Sequence, residues 1–214
     1  MSKLLDGIEF PEDLKKLAID DLPKLASEIR EFIIDVVSKN PGHLASNLGV
    51  VELTIALHYC FDFKRDRIVW DVGHQAYIHK ILTGRKSRFP TLRQYKGLSG
   101  FPCKTESIYD PFTCGHSGSA ISSAMGISCA DEILGFKRSL VAVVGDGAIG
   151  AGMSLEALNH AGDLKKNLLV VLNDNEMSIS NTVGAFSKYL TKIRTLPLFT
   201  DLKKDFHHLL SILP

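Results

Sequence analysis

Two short apolar runs interrupt the otherwise mixed pattern of polar and hydrophobic residues. Residues 140–144 read LVAVV and residues 168–172 read LLVVL, and Gly, Asp and Asn bound both runs. Continuous apolar runs of this length are typical of strands that are buried on both faces of a parallel sheet. The stretch 153–160 between them suits a crossover helix. The pattern therefore predicts an α/β fold, a parallel sheet flanked by helices, with ligands bound at the carboxyl ends of the strands.

Helical periodicity surrounds these strands. In chain order we expect a helix from about Asp21 to a stop at 40–42, a helix over 50–61, a strand over 67–72, a helix over 75–83 ended by Gly84, and a Ser-rich helix over 117–134. In the last helix an apolar residue recurs every four positions. This spacing predicts one buried stripe, formed by Ile121, Met125, Cys129 and Ile133.

Composition and charge exclude several classes of protein. The 214 residues are 45% hydrophobic and 23% charged, and 25 Lys and Arg balance 24 Asp and Glu to a net charge of +1. A nucleic-acid-binding protein would usually show a basic stripe, and no stretch is apolar enough for a spanning helix. Four cysteines without a C-x-x-C pair indicate reduced thiols. We therefore expect a cytoplasmic globular protein that binds neither nucleic acid nor membrane.

Candidate chemistry begins where the first apolar run ends. Residues 145–150, GDGAIG, match the G-x-G-x-x-G fingerprint, so a Rossmann-type NAD(P)-binding oxidoreductase is one interpretation. Asp146 argues against it, because a carboxylate repels a diphosphate unless a divalent cation such as Mg²⁺ bridges the two. Asn175 lies just beyond the second apolar run, in the segment 173–177 and 29 residues after Asp146, so both side chains are expected to reach one cation. The simpler alternative is that Asp146 and Asn175 only cap turns.

Three of the eight histidines directly follow glycine, in the pairs 42–43, 73–74 and 115–116. Each pair lies at an element boundary, where glycine lets the backbone approach a ligand closely. The segment 115–119, GHSGS, opens the Ser-rich helix, so we expect its N–H groups to face an anion. A zinc site built from the three histidines is disfavoured, since their spacing matches no known ligand pattern.

Five segments in fixed order carry a resemblance to a known family. They are PGHLASNLG at 41–49, WDVGHQAY at 70–77, GHS at 115–117, GDGA at 145–148 and NDNEMSIS at 173–180. Together they resemble the 1-deoxy-D-xylulose-5-phosphate synthases, which are transketolase-like thiamine-diphosphate enzymes. The resemblance covers essentially the whole chain. It implies a three-layer α/β/α fold, with residues 1–214 forming a single diphosphate-binding domain and with the pyrimidine-binding and C-terminal domains absent.

The resemblance also implies a role for individual residues. His43 would face the reacting carbon and move protons during the reaction. The implied Mg²⁺ ligands are Asp146, Asn175 and the backbone carbonyl of Met177. The implied thiamine diphosphate contacts are His74, Gly115, His116, Ser117, Gly147, Ala148 and Asn175.

The implied reaction joins pyruvate to D-glyceraldehyde 3-phosphate with loss of CO₂, and its product feeds isoprenoid, thiamine and pyridoxal synthesis. The glutamate that activates the cofactor in this family has no counterpart here, so we expect the isolated chain to be catalytically incomplete. The complete form is expected to be a homodimer, with the missing domains supplied by a second chain where they are not fused. Two alternatives stay open, the NAD(P)-binding oxidoreductase and a non-catalytic binding module built from the same domain.

Overall fold

In the computed structural model, which describes residues 3–174 together with Tyr189 and Lys192, three parallel strands form one sheet. They are β1 (Arg67–Trp70), β2 (Leu140–Gly145) and β3 (Leu168–Asn173), in that spatial order. The predicted strands and their parallel arrangement are thus confirmed. In the register, Trp70 pairs with Val143 and Gly145 pairs with Asn173, so the three strands end at the same edge of the sheet.

Helices cover the segments between the strands. In chain order they are α1 (Pro11–Leu14), α2 (Leu22–Lys39), α3 (Leu44–Leu48), α4 (Val51–Cys60), α5 (Tyr77–Lys80), α6 (Ala120–Leu134), α7 (Asp146–Ile149) and α8 (Gly152–Leu164). Short 3₁₀ turns occur at Leu4–Gly7, Ile19–Asp21 and Phe89–Thr91. The predicted crossover helix between β2 and β3 is confirmed as α8, and it is preceded by the single turn of α7.

The helix predicted over 75–83 is shorter than expected. A π-helical turn, Ile81–Arg85, follows α5, and within it Gly84 adopts φ +79°. A Cβ atom at Gly84 would lie 2.6 Å from Cε1 of Phe10, so both the backbone conformation and the close neighbour require glycine here. The turn redirects the chain and leaves Lys80 and Arg85 buried.

Two apolar clusters contribute to the core in the part of the chain that the structure describes. The larger packs α2, α4 and α5 together around Leu25, Ile29 and Ile78. The smaller lies on the sheet and includes Trp70 and Val143. Strand β2 is buried along its length, as its apolar run predicts. The prediction that β3 is buried on both faces is wrong, however. Within the described residues β3 is an edge strand, and its Leu169 and Leu172 are 45% and 38% exposed.

The apolar stripe of α6 is buried over only half its length. Ile121 and Met125 are buried, Cys129 is half-buried, and Ile133 is 84% exposed. The first half of the helix lies against the sheet, whereas its last turn extends into solvent. Periodicity therefore predicted the apolar face correctly but overestimated how much of it is covered.

The chain divides into two compact units, Met1–Met177 and Ser178–Pro214. All the elements named above belong to the first unit, and of the second only Tyr189 and Lys192 are described, both in helical backbone. A single domain over residues 1–214 therefore stays a prediction. Within the part of the chain that the structure describes, no helix has the length and apolar composition needed to cross a membrane.

The unequal burial along α6 makes a testable prediction. Ile121→Ala should lower the free energy of unfolding by ~2–5 kcal/mol, because it leaves a cavity against the sheet. Ile133→Ala removes the same atoms from an exposed position and should change it by less than about 0.5 kcal/mol. Urea denaturation of the two variants measures both values. Equal losses would mean that the end of α6 is covered.

Candidate functional site

The carboxyl edge of the sheet brings together most of the residues predicted for the site. Strand β1 runs into the segment 71–74, β2 into Asp146 and β3 into Asp174. Because the strands are parallel and end in register, these three segments are neighbours although they are far apart in sequence. Loops at this edge form the usual ligand site of an α/β fold.

The first two Gly-His pairs meet at this edge. The rings of His43 and His74 are 5.3 Å apart between centroids and lie edge to face. Phe101 adds a third ring, 5.9 Å from that of His43. Both histidines are half-buried.

Asn47 holds the two histidine loops together. Its Nδ2 donates hydrogen bonds to the backbone carbonyls of His43, at 2.6 Å, and of His74, at 2.8 Å. Its Oδ1 accepts the N–H of Tyr77 at 2.9 Å. The hydroxyl of Tyr77 in turn accepts the N–H of His43 at 3.1 Å. A fully buried amide thus fixes the backbone on both sides of the ring pair.

The two rings are held neutral by their surroundings. Burial, and to a lesser degree the Arg93 guanidinium, lower the pKa of His43. Burial and then the neighbouring His43 lower the pKa of His74, while Asp71 acts in the opposite direction. The Nδ1 atom of His74 is buried and has no hydrogen-bond partner among the described residues. An unpartnered buried nitrogen raises the free energy of the folded chain.

Asp71 corrects one expectation about the start of the Ser-rich helix. Its buried carboxylate accepts the N–H of Gly118 at 2.8 Å and the N–H of Ala120 at 3.0 Å. The chain therefore supplies its own anion to the first turn of α6, where we had expected a bound one. Asp71 also ties the end of β1 to the beginning of that helix, which fixes the position of the loop in between.

The third Gly-His pair lies on that loop. Gly115, His116 and Ser117 are exposed, so their polar groups face the open side of the edge. A Cβ atom at Gly118 would lie 3.2 Å from the Cβ of Ala151, which places the loop directly against the beginning of α8. The Cys114 thiol just before it is inert at neutral pH, since burial raises its pKa to about 12.

Two acidic residues follow β2 and β3 at adjacent positions. Because Gly145 pairs with Asn173, Asp146 and Asp174 are the next residues on neighbouring strands. Burial, and then the charge of Asp174, raise the pKa of Asp146. Gly147 is exposed and Ala148 is nearly buried, both within α7. The other predicted metal ligands, Asn175 and Met177, lie outside the described residues. In the described part, no group of three or more His, Cys, Asp or Glu side chains forms a metal cluster.

Sequence reasoning missed several residues on which this geometry depends. Asn47 and Asp71 lie within the motifs at 41–49 and 70–77, but neither is among the residues predicted for the site. The sequence offered one signal for each of them, namely a polar residue inside a motif that also contains a histidine. The buried carboxylate of Asp110, which contacts both His79 and Arg85, gave no signal in the sequence.

The comparisons with known proteins agree on one family. A family model described as 1-deoxy-D-xylulose-5-phosphate synthase matches residues 5–214. The 1-deoxy-D-xylulose-5-phosphate synthase 1 of Geobacter sulfurreducens is 59% identical over 214 residues, which are 100% of this chain and 34% of that protein. The enzyme of the same name from Caldanaerobacter subterraneus is 54% identical over 211 residues, 99% of this chain and 34% of that protein. The chain thus spans about a third of the length of these relatives.

A solved structure supports the fold. Transketolase from Leishmania mexicana superposes with a TM-score of 0.67 at 23% sequence identity, over 79% of this chain and 30% of that chain. At this identity the likeness concerns the fold alone. It agrees with the parallel sheet and its flanking helices, and the predicted three-layer α/β/α fold is confirmed.

The contact between Arg93 and His43 makes a second prediction. The guanidinium lies 3.4 Å from Nδ1 of His43 and disfavours the protonated ring. Arg93→Ala should therefore raise the pKa of His43, without restoring its ordinary value, because burial is the larger cause. Titration of the ring nitrogens by NMR measures the change. Lys96→Ala is the control, since it removes the same charge from the same exposed loop, and a larger shift there would contradict the assignment.

Proposed function

The chain belongs to the 1-deoxy-D-xylulose-5-phosphate synthase family, and from this premise we propose that it forms the thiamine-diphosphate- and Mg²⁺-binding part of such an enzyme. The complete enzyme would condense pyruvate with D-glyceraldehyde 3-phosphate, release CO₂ and yield 1-deoxy-D-xylulose 5-phosphate. Membership of the family implies a transferase that depends on thiamine diphosphate. The metal, the substrates and the roles of single residues are parts of our proposal.

The observation that carries the proposal is the half-open histidine pair with its unpartnered nitrogen. His43 and His74 face each other at 5.3 Å, and the buried Nδ1 of His74 has no partner among the described residues. Among the described residues, no atom lies within 4 Å of a Cβ atom built at Gly115 or Gly147. A polar ligand that places an acceptor or donor beside His74 would complete this arrangement, which supports the proposed fit to thiamine diphosphate.

The donor set beyond β2 and β3 suits a hard cation. Asp146 is the proposed ligand on this side, and the carboxylate of Asp174 is close enough to act on it electrostatically. Two neighbouring carboxylates repel each other unless a cation lies nearby, and Mg²⁺ prefers oxygen ligands of this kind. In the proposal, Asn175 and the carbonyl of Met177 complete the protein ligands, and Gly147 and Ala148 hold the diphosphate.

When bound, the cofactor supplies the electron sink for decarboxylation. The chain's own groups bind, orient and move protons. Burial and the Arg93 guanidinium lower the pKa of His43 and so disfavour its protonated ring. In the proposal, a nitrogen of this ring accepts a proton during the reaction and returns it. The ring of Phe101 packs against that of His43. In the proposal, His74, Gly115, His116 and Ser117 contact the cofactor.

Family membership also bears on the alternatives. The G-x-G-x-x-G pattern at 145–150 falls within the family match, so it no longer requires an NAD(P)-binding oxidoreductase. A non-catalytic binding module would share the fold and the cofactor contacts. The binding module and the proposed enzyme differ in whether substitution of His43 affects turnover, and the His43→Ala experiment separates them.

Cofactor binding to the chain provides the first test. Isothermal titration calorimetry with thiamine diphosphate should give binding only when Mg²⁺ is present, and Asp146→Ala should abolish this Mg²⁺-dependent binding because a methyl group cannot replace an oxygen ligand. Asp163→Ala, at an exposed position on α8, is the matched control and should bind like the wild type. Tight NAD⁺ binding, or cofactor binding that is unaffected by a chelator, would contradict the proposal.

His43 provides the second test, which requires a complete enzyme. A chimera in which this chain replaces the corresponding third of the Geobacter sulfurreducens relative supplies the remaining domains. His43→Ala should lower its turnover by about 10²–10⁴-fold, as expected for loss of a general acid–base group. The melting temperature should change little, because His43 is half-buried in a loop and its loss opens no core cavity.

His160→Ala, at an exposed position on α8, is the control for histidine removal. If His43→Ala left turnover intact and lowered the melting temperature strongly, His43 would be a structural residue. Intact turnover and intact stability together would remove it from the site altogether.

A further inference from the structure

The segment 99–103 touches all three Gly-His loops. The ring of Phe101 lies against His43. Pro102 packs on Gly73, where a Cβ atom would come within 2.5 Å of its Cδ, so only glycine fits there. The carbonyl of Pro102 accepts the N–H of Cys114, the residue just before the third pair, at 3.2 Å. This one segment therefore contacts all three loops.

A buried carboxylate holds this segment by its backbone. Oδ2 of Asp110 accepts the N–H of Cys103 at 2.8 Å. The other donors to Asp110 are both N–H groups of the Arg85 fork, at 2.5 and 2.9 Å, and Nε2 of His79 at 2.9 Å. Burial alone would raise the pKa of Asp110, but the hydrogen bonds from His79 and Arg85 outweigh it and hold the pKa well below its usual range.

His79 is fixed as a neutral donor. The Asp110 carboxylate only accepts hydrogen bonds, so the His79 proton that faces it lies on Nε2, and burial lowers the pKa of the ring. The other ring nitrogen, Nδ1, lies 3.0 Å from Nε2 of His58. The three side chains form one continuous buried chain of hydrogen bonds that ends at the carboxylate.

The other end of the segment is held in the same manner. Glu106 accepts the N–H of Ser99 at 2.6 Å and pairs with the buried ammonium of Lys80 at 2.5 Å. Lys80 and Arg85 lie on α5 and the π-helical turn that follows it. Two buried cations from one short stretch thus neutralise two carboxylates, and each carboxylate binds one end of the segment through a backbone N–H.

Stability alone does not account for such an arrangement. Burying an ion pair costs about as much desolvation energy as the pair returns, and apolar residues of similar volume are often equally stabilising. What apolar residues lack is the ability to fix a backbone N–H at a defined point. The network is therefore suited to positioning backbone atoms, and the backbone that it holds is the segment 99–103, which contacts His43.

We propose that Asp110 is a positioning residue of the cofactor site, acting through the segment 99–103 on the surroundings of His43. This inference rests on the proposed function, since it assigns Asp110 to the same site. The role of Asp110 differs from the proposed roles of His43 and His74, because Asp110 contacts neither a ligand nor the reacting atoms.

Asp110→Asn in the full 214-residue chain is the test. The amide keeps only one acceptor oxygen, so it cannot satisfy Cys103, His79 and both N–H groups of Arg85 at once, and the hold on the segment that carries Phe101 is weakened. NMR titration should then show the pKa of His43 moving toward its ordinary value. The other titratable or charged groups that face His43 are His74 and Arg93, and the variant retains both of them. The Kd for thiamine diphosphate with Mg²⁺ should rise roughly 10-fold, as is typical when an outer-shell partner is removed.

Asp131→Asn is the matched control. Asp131 is also buried and is also paired with an arginine fork, from Arg138, but it lies at the end of α6 away from the site. The Asp131→Asn variant should have a lower stability in urea, while its His43 titration and its Kd for thiamine diphosphate should stay unchanged. If Asp110→Asn shifts the His43 titration no more than Asp131→Asn does, the proposal is wrong.

A double-mutant cycle with Phe101→Ala tests the route. If Asp110 acts through Phe101, the His43 shifts of the two single variants should not add in the double variant, whereas full additivity would overturn the proposal. Should Asp110→Asn not fold, Arg85→Lys takes its place with the same measurements, because it keeps the charge but loses the fork. The titration needs no ligand, so a wild-type chain that binds no thiamine diphosphate would refute the proposed function while the NMR result still decided the role of Asp110.

Discussion

The geometry of the candidate site depends on the side chain of Asn47. An amide has two N–H donors and one carbonyl oxygen, and here all three groups are used by backbone atoms of two loops that are distant in sequence. Because the amide is fully buried, no water can replace these bonds at low cost. The carbonyls of His43 and His74 are thereby fixed relative to each other, and the spacing of the two imidazole rings follows from that. An apolar residue of similar size would leave two carbonyls and one N–H without partners.

The same principle applies at the beginning of α6. A helix leaves its first N–H groups without intrahelical partners, and they are satisfied either by the chain or by a ligand. The sequence suggested a ligand, because glycine, serine and histidine precede the helix. The structure instead uses Asp71, which comes from the end of β1 and is separated by more than forty positions. Tertiary structure decides which of the two supplies the anion, and local sequence carries no information on it.

Much of the architecture was accessible from the pattern of apolar residues. Strand β2 is a continuous apolar run because both of its faces are covered, and α2 has a regular stripe because one face packs on the core. The pattern failed where burial depends on partners elsewhere in the fold, as at Ile133 and at Leu169, which are apolar yet exposed. It failed equally for polar residues that are buried. Lys80, Arg85 and Asp110 look like surface residues in sequence, and only the pairing of their charges permits their burial.

The buried and half-buried carboxylates at this edge of the sheet differ in what balances their charge. Asp110 is balanced by Arg85, and Asp71 by the N–H groups that open a helix. Asp146 has a different neighbour, since the charged group that acts on it among the described residues is the carboxylate of Asp174. Two adjacent negative charges raise the free energy of the folded chain unless a cation is bound between or beside them. The charge of Asp174 thus acts against the ionised form of Asp146, and a divalent cation bound to Asp146 would offset that cost, which is the electrostatic reason for proposing Mg²⁺ there.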